Sequence, residues 1–474
     1  MKRVAIIGAG IAGLSAAYYL NKLSQQQARP METIFLEKED RLGGSILTRK
    51  AEGFILEGGP DCFLSEKPWA LRLCTELGLQ REVVGTNQQA RRTFILWKGR
   101  LHALPEGFML LVPTSVWPFL TSSFLSLPGK LRMALDLFIP RKKSQHDESL
   151  GAFVRRRLGK EALDRIAEPL AAGIHAGDPE TMSLKSTFPR FIDLEQEYRS
   201  LIWGMYQRRK RLMASTTSAS RYSMFVTLRQ GLGQLVATLG NALPPGTISL
   251  EREVRKVEKV ATDSGDKQRY RLVMDSDQES INVDAVVIAV PAVTAAKLLG
   301  SLDATLSREL LTIPYCSTAT INLAYRRTQI GHPLDGYGFV VPRIEGRAIM
   351  ATTFSSVKFP QRAPEGAVLL RSFAGGAHNE ELVSLSDEEL VAAVRKDLDE
   401  ILQIQGDPFL VRIFRWERAM AQYILGHQRR LSAIEKRLSK HPGLFLTGSA
   451  YHGIGISDCV HQGELVARKV LDSH

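Results

Sequence analysis

An α/β fold, in which one parallel sheet is assembled from strands far apart in the chain, is predicted by three observations. The chain opens on an apolar run and a glycine turn that lead into a helix. It closes on a second apolar run, a second glycine turn and a second helix. Between them lie two long stretches of different character, one helical and one rich in strands.

Val4, Ala5, Ile6 and Ile7 read as a buried parallel strand. Gly8, Gly10 and Gly13 follow at G-x-G-x-x-G spacing, with Ala9, Ile11 and Ala12 in the same turn, before an Ala/Leu-rich helix. Gly8 supplies the turn torsions, Gly10 lets the main chain approach a pyrophosphate, and Gly13 lets helix and strand pack closely. The helix N-terminus then offers free N–H groups and a positive dipole end to an anion. The next strand, 33–36, ends in Glu37, 24 positions beyond Gly13. Its carboxylate is placed for a ribose hydroxyl pair and repels a 2′-phosphate, which leaves NAD or FAD rather than NADP. The stretch "DRLGG", 40–44, adds the cation Arg41 and the bare amides of Gly43 and Gly44. A flavin dinucleotide can use this extension and NAD does not need it, so this half reads as Rossmann-like with FAD as cofactor.

The remaining 400 or so residues are bounded by composition: 474 residues suggest two or three domains, and 44% hydrophobic residues suffice for sizeable cores. A net charge of +12 favours anionic partners. No basic stripe interleaved with aromatics indicates nucleic acid, and the clusters at 141–143, 155–157 and 208–211 read as solvated faces, some of them suited to a membrane surface or an acidic substrate. The four cysteines lack C-x-x-C spacing, and the histidines, His175 and His452 among them, lack metal-ligand spacing. The chain starts directly with its first strand, which leads to the expectation of a cytoplasmic protein without a signal peptide. The 23 uncharged residues 107–129 are long enough to span a bilayer, but Pro113, Pro118 and Pro128 would break such a helix. That stretch reads as the wall of an apolar cavity or as a surface resting on membrane.

Further along, Ser149 is a candidate N-cap for a helix with apolar positions at Leu150, Phe153, Val154 and Leu158. The stretch 221–239 reads as a turn into a helix, and "REVRKVEKV", "RYRLVMD" and "DAVVIAVPA" read as strands. "TINLAYRR" and "GYGFVVP" with a helix over "DEELVAAVRKDLDEIL" fit a second, mixed-sheet domain. Leu444–Leu446 gives the last strand, followed by a turn containing Gly448 and a helix from near Ser457. That helix N-terminus is placed to stabilise negative charge on a reduced flavin, an effect of roughly 0.3–2 kcal/mol.

These features resemble the oxygen-dependent porphyrinogen oxidases of the amine-oxidase-like flavoproteins across nearly the whole chain. "GAGIAGL" and "EKEDRLGG" are shared by many FAD oxidases. "GFILEGGPDCFL" (53–64), "EPLAAGIHAGDPETMSL" (168–184), "WERAMAQYILGH" (416–427) and "GIGISDC" (453–459) are more particular. The resemblance implies FAD contacts at Gly8 to Gly13, at Glu37, Lys38 and Ser45, and at Gly58, Gly59, Pro60 and Asp61. Val254 would meet the adenine through its backbone, and Trp416 with Ile454, Gly455 and Ile456 would line the isoalloxazine. Ala421 and Ser457 stand where the family often has proline. The implied reaction removes hydride from a methylene bridge of protoporphyrinogen IX or coproporphyrinogen III, in three rounds, with O2 regenerating FAD and releasing hydrogen peroxide. Lys67, Arg91 and Arg92 are candidates for holding the propionates, no catalytic base is required, and hand-over of product to a ferrochelatase is expected. An amine oxidase or a carotenoid desaturase shares the fold and the first two motifs only, and the intact "GAGIAG", Glu37 and "DRLGG" count against a flavin-free binding protein of the GDI type.

The resulting architecture is an α/β fold with a Rossmann-like FAD-binding domain (1–66, 225–290 and 410–474) interrupted by a mixed-sheet substrate domain (67–90 and 291–409) and a mainly helical domain (91–224). The helical domain is expected to line the substrate cavity and to carry the surface for peripheral contact with the inner face of a membrane.

Overall fold

The computed structural model describes residues 2–105, 108–109, 112–113, 124–144, 146–214, 223–260, 269–275 and 279–473. Its first sheet is parallel throughout, in the order Ile248–Ser249, β2 (Met31–Leu36), β1 (Lys2–Ile7), Ala285–Ile288 and Leu444–Leu446. The central strands are apolar on both faces because both faces are covered. On one side α1 (Ile11–Gln26) packs with the helices Gly233–Asn241 and Ile456–Asp472. On the other lie the antiparallel strands Val254–Val260 and Arg269–Met274 and the helices Ala292–Leu299 and Ala304–Leu311. From β1 the chain leaves to β2 on one flank, while Ala285–Ile288 pairs on the other, so a crevice opens beyond the C-terminal end of β1, where such sheets bind ligands.

The second sheet has seven strands, in the order Leu410–Ala421, Tyr315–Arg326, Ala367–Gly375, Ile349–Phe354, Gly336–Val340, Arg92–Trp97 and Arg100–Ala103. It is mixed, since Gly336–Val340 runs parallel to Arg92–Trp97 while the other neighbours are antiparallel. The helix Asp387–Leu402 covers one face. The helices between 127 and 214 gather around their own core, which Ile95, Val340 and Ala351 of the sheet join. Three segment boundaries differ from the sequence reading: 92–103 belongs to the seven-stranded sheet rather than to the helical stretch, 410–421 pairs with Tyr315–Arg326 rather than with the nucleotide sheet, and Phe225–Leu228 is a strand. Arg92–Trp97 and Arg100–Ala103 form a local hairpin, but the pairings that place these segments in their sheets, with Gly336–Val340, with Tyr315–Arg326 and with Phe63–Leu64, join residues far apart in sequence, so no local pattern announces them. The cluster 155–157 is also not wholly solvated. Arg157 is fully buried, its Nε donating to Asp136 at 2.6 Å. The uncharged stretch 107–129 lies outside the described residues up to 123, except for strands Phe108–Met109 and Val112–Pro113.

Candidate FAD site

The crevice is built mostly from backbone. Gly8 has φ +101°, and a Cβ on Gly13 would collide with the Gly8 carbonyl, so α1 can sit against the turn only with glycine there. Gly10, the N-cap of α1, has open space where a side chain would stand. No side chain caps α1, and none caps the helix Ile456–Asp472 at Gly455. Two helix N-termini therefore present free N–H groups to one crevice, which fits an anionic dinucleotide. Glu37 closes the end of β2, its carboxylate accepting from Ala9 N–H at 2.5 Å and Glu39 N–H at 3.0 Å. Arg252 N–H donates to the Glu37 carbonyl at 2.8 Å, which puts Val254 two residues from the end of β2.

The second glycine pair comes to the same place. Gly43 N–H donates to the Ala9 carbonyl at 2.8 Å, and the ideal Cβ of Gly44 would lie 3.2 Å from Gly10 Cα. Arg41 donates from its guanidinium to the carbonyls of Leu42 and Gly44, at 3.3 and 2.7 Å, and so braces the loop that carries the glycine pair. Lys38 is exposed and paired with Glu39 at 3.2 Å. A Cβ on Gly59 would strike the Ser45 carbonyl, so the 43–45 and 58–61 turns touch backbone to backbone.

Carbonyls in the 57–61 segment are gripped from the seven-stranded sheet. Trp416 Nε1 donates to Gly58 O at 2.8 Å, Arg371 Nε to Glu57 O at 3.1 Å, and Arg371 also binds Gly59 O. Buried charges hold the side chains. Lys358 Nζ lies 2.9 Å from Asp61, with Arg371 3.8 Å away, and Arg362 3.5 Å from Glu57. Burial alone would raise the Asp61 carboxyl, but Lys358 and Arg371 outweigh it and hold it well below the usual carboxylate range. Burial pushes the neighbouring Cys62 thiol up to about 12. Sequence reasoning missed Arg371, Lys358 and Asn322. Asn322, whose Nδ2 donates to Glu57 O at 3.4 Å, and Arg371 are polar residues in the middle of apolar strands, which was their only signal, and Lys358, at the end of the short helix Ser355–Lys358, had none.

At the far end, Gly448 has φ +127° and open space beside it, and Gly455 is exposed where the last helix begins, one residue earlier than expected, at Ile456. Lys67 is committed to a neighbour: its Nζ lies 2.7 and 2.6 Å from the two carboxylate oxygens of Asp458. Ser457 Oγ donates to the Lys67 carbonyl at 3.2 Å, a bond that proline could not make. Burial, with a smaller contribution from Lys67, pushes His175 down to about 4, so a neutral imidazole from the helix Glu168–His175 stands near this ion pair. Arg91 and Arg92 are exposed at the edge of the second sheet. Arg91 donates to the Gln88 carbonyl at 3.0 Å, and Arg92 is paired with Asp335.

A family model described as flavin containing amine oxidoreductase matches residues 11–471. Coproporphyrinogen III oxidase of Bacillus subtilis (strain 168) is 36% identical over 471 residues, covering 99% of this chain and 98% of that protein. The chloroplastic protoporphyrinogen oxidase of Nicotiana tabacum is 31% identical over 483 residues, covering 98% and 84%. A crystal structure of a protein provisionally called a protoporphyrinogen oxidase, from Exiguobacterium sp. 255-15, superposes with a TM-score of 0.86 at 33% identity, covering 100% and 99% of the two chains. Reduced UDP-galactopyranose mutase reaches 0.72 at 16% identity, covering 100% and 96%, a likeness of fold alone.

Proposed function

Because the chain belongs to the flavin-containing amine oxidoreductase family, we propose that it is an FAD-dependent porphyrinogen oxidase of heme biosynthesis whose substrate is coproporphyrinogen III and whose oxidant is O2. The observation that carries this reading is the full-length similarity to coproporphyrinogen III oxidases, at 36%, 33% and 32% identity in three bacteria. The glycine-lined crevice with its two uncapped helix ends supports FAD, and the net charge of +12 suits a tetracarboxylate substrate. Bound FAD supplies the hydride acceptor. The chain's own residues supply position: Glu37 takes the ribose, the 43–45 and 58–61 turns follow the pyrophosphate and ribityl chain, and Trp416 with residues 454–456 flank the ring. Lys67 becomes a propionate partner by leaving Asp458, and the product is then available to a ferrochelatase.

Aerobic incubation of the yellow protein with each reduced tetrapyrrole, followed by porphyrin fluorescence against a heat-inactivated control, tests this. A faster rise with coproporphyrinogen III is expected. Preference for protoporphyrinogen IX would overturn the substrate, and no rise with either would overturn the reading.

No described helix is long and apolar enough to cross a membrane. Peripheral contact is a different matter, because Leu131 and Phe138, on and just beyond the helix Leu127–Ala134, are 63% and 81% exposed. Trp203 and Tyr206 stack 5.6 Å apart on the helix Leu201–Ala214, which packs against the short helical turn Leu135–Leu137 between Leu131 and Phe138. Arg141, Lys143, Arg208 and Lys210 are exposed in the same two segments. Apolar side chains mixed with cations suit an anionic bilayer surface. Co-sedimentation with phosphatidylglycerol vesicles, lost in Phe138→Asp and weak on phosphatidylcholine, is the expected result. Equal recovery without vesicles would refute it.

A further inference from the structure

Residues 422–425 form a strap between the glycine turn that precedes the last helix and the helix Glu168–His175, tightened by Ile424 N–H donating to the Gln422 carbonyl at 3.0 Å. On one side the strap holds the helical stretch. Gln422 Nε2 donates to the His175 carbonyl at 3.0 Å, Ser183 N–H to the Tyr423 carbonyl at 2.8 Å, and Leu425 N–H to the Thr181 carbonyl at 2.8 Å.

On the other side the Tyr423 hydroxyl bonds both ends of the glycine turn, while Gln462 Nε2 donates to the Gly453 carbonyl at 3.3 Å. Tyr423 Oη donates to the Ser449 carbonyl at 2.8 Å and accepts from Gly453 N–H at 2.8 Å, so it pins both ends of residues 449–453. The His427 ring stacks on Tyr423 at 4.0 Å and 14°, and its Nε2 lies 3.1 Å from the Tyr451 carbonyl at the tip of the same turn. Both rings are buried. Burial pushes His427 down to about 4, which leaves a neutral ring whose Nε2–H can donate to Tyr451. Gly453 has φ +120° and is followed directly by Ile454, Gly455 and Ile456, where the last helix begins.

A hydroxyl that uses both its donor and its acceptor on one turn contributes alignment that a ring of the same shape would not. We propose that Tyr423 is a positioning residue that sets the direction of the Ile456–Asp472 helix N-terminus towards the flavin, and that Gln422 on the same strap independently positions the substrate-side helix Glu168–His175. The inference rests on the FAD reading above, but not on the identity of the substrate.

The test uses the purified holoenzyme and two properties of its bound flavin, the midpoint potential and the affinity of its N5 for sulfite. Tyr423→Phe keeps the stack and loses both hydrogen bonds. A more negative potential, roughly tenfold weaker sulfite binding and a lower kcat at unchanged KM are expected, in line with a misdirected helix end. Gln422→Ala is expected to raise KM and leave both flavin properties unchanged. His427→Phe keeps the stack and loses only the Tyr451 bond, so a smaller shift in the same direction is expected. If Tyr423→Phe fails to retain FAD, His427→Phe decides by the same two readouts. Wild-type potential and sulfite affinity in the deciding variant overturn the proposal, whatever its activity. A shift without porphyrinogen turnover keeps the proposal and removes the substrate reading, whereas a colourless wild-type protein removes the FAD reading and the proposal with it.

Discussion

Gly59 shows how much a single missing side chain can carry. Its Cα faces the Ser45 carbonyl so closely that a methyl group there must push the 43–45 and 58–61 turns apart. Gly59→Ala is expected to weaken FAD binding at least tenfold, measured by flavin fluorescence on dilution, while a retained yellow protein of normal affinity would contradict the geometry. Lys358 and Asp61 carry a different burden. Removing Asp61 strands Lys358 in the interior at a cost of about 3–5 kcal/mol, removing Lys358 leaves Asp61 with Arg371 alone and should cost less, and the double replacement Asp61→Asn with Lys358→Met should cost less than the sum. Urea unfolding of the three variants checks this. Because the Asp61 carboxyl is depressed, its stabilisation is fully present above the unfolded aspartate pKa of about 3.9 and is lost as pH falls below it. Glu168 has the opposite sign. Burial is the main cause that raises it to about 7, so the folded state binds the extra proton and stability falls as pH rises from about 4.3 to 7. Glu168→Gln should flatten that slope in melting temperatures taken across the window.

Among the elements, those with local punctuation were legible in the sequence. The helix Asp387–Leu402 carries its own boundary: Ser386 accepts from Glu389 N–H at 3.2 Å and Glu389 answers to Ser386 N–H at 3.0 Å. Ser386→Ala is expected to cost about 1 kcal/mol, read as a small drop in melting temperature with unchanged flavin spectrum. Ser149 caps the helix Leu150–Arg157 with one bond, its Oγ accepting from Ala152 N–H at 3.0 Å. The glycine turns after β1 and before the last helix were legible too, since only glycine satisfies both the torsions and the close approach. What stayed hidden depends on partners distant in sequence. "RTFILW" reads as an apolar run, and nothing in it says that Gly336–Val340, some 240 residues later, will lie parallel to it. Arg41 shows the same within a site, since its residue type suggested a phosphate partner but did not announce its bond to the Gly44 carbonyl.

For the molecule as a whole, the five parallel strands of the first sheet come from both ends of the chain and from its middle, so the crevice is complete only when the full chain has folded. Cofactor binding and global stability are therefore linked. Free FAD at 100 times its dissociation constant should stabilise the protein by roughly 2.7 kcal/mol, and stripping the flavin should lower the melting temperature in proportion. A melting temperature indifferent to FAD would mean that the crevice does not bind it. The position of Leu444–Leu446 at the sheet edge, with the helix Ile456–Asp472 packed on α1, also has a consequence for synthesis. While this segment is still inside the ribosome, the glycine turn after β1 has been made but lacks the second wall of its crevice. A chain cut off before Leu444 lacks that wall and is expected to bind flavin more weakly than the full chain.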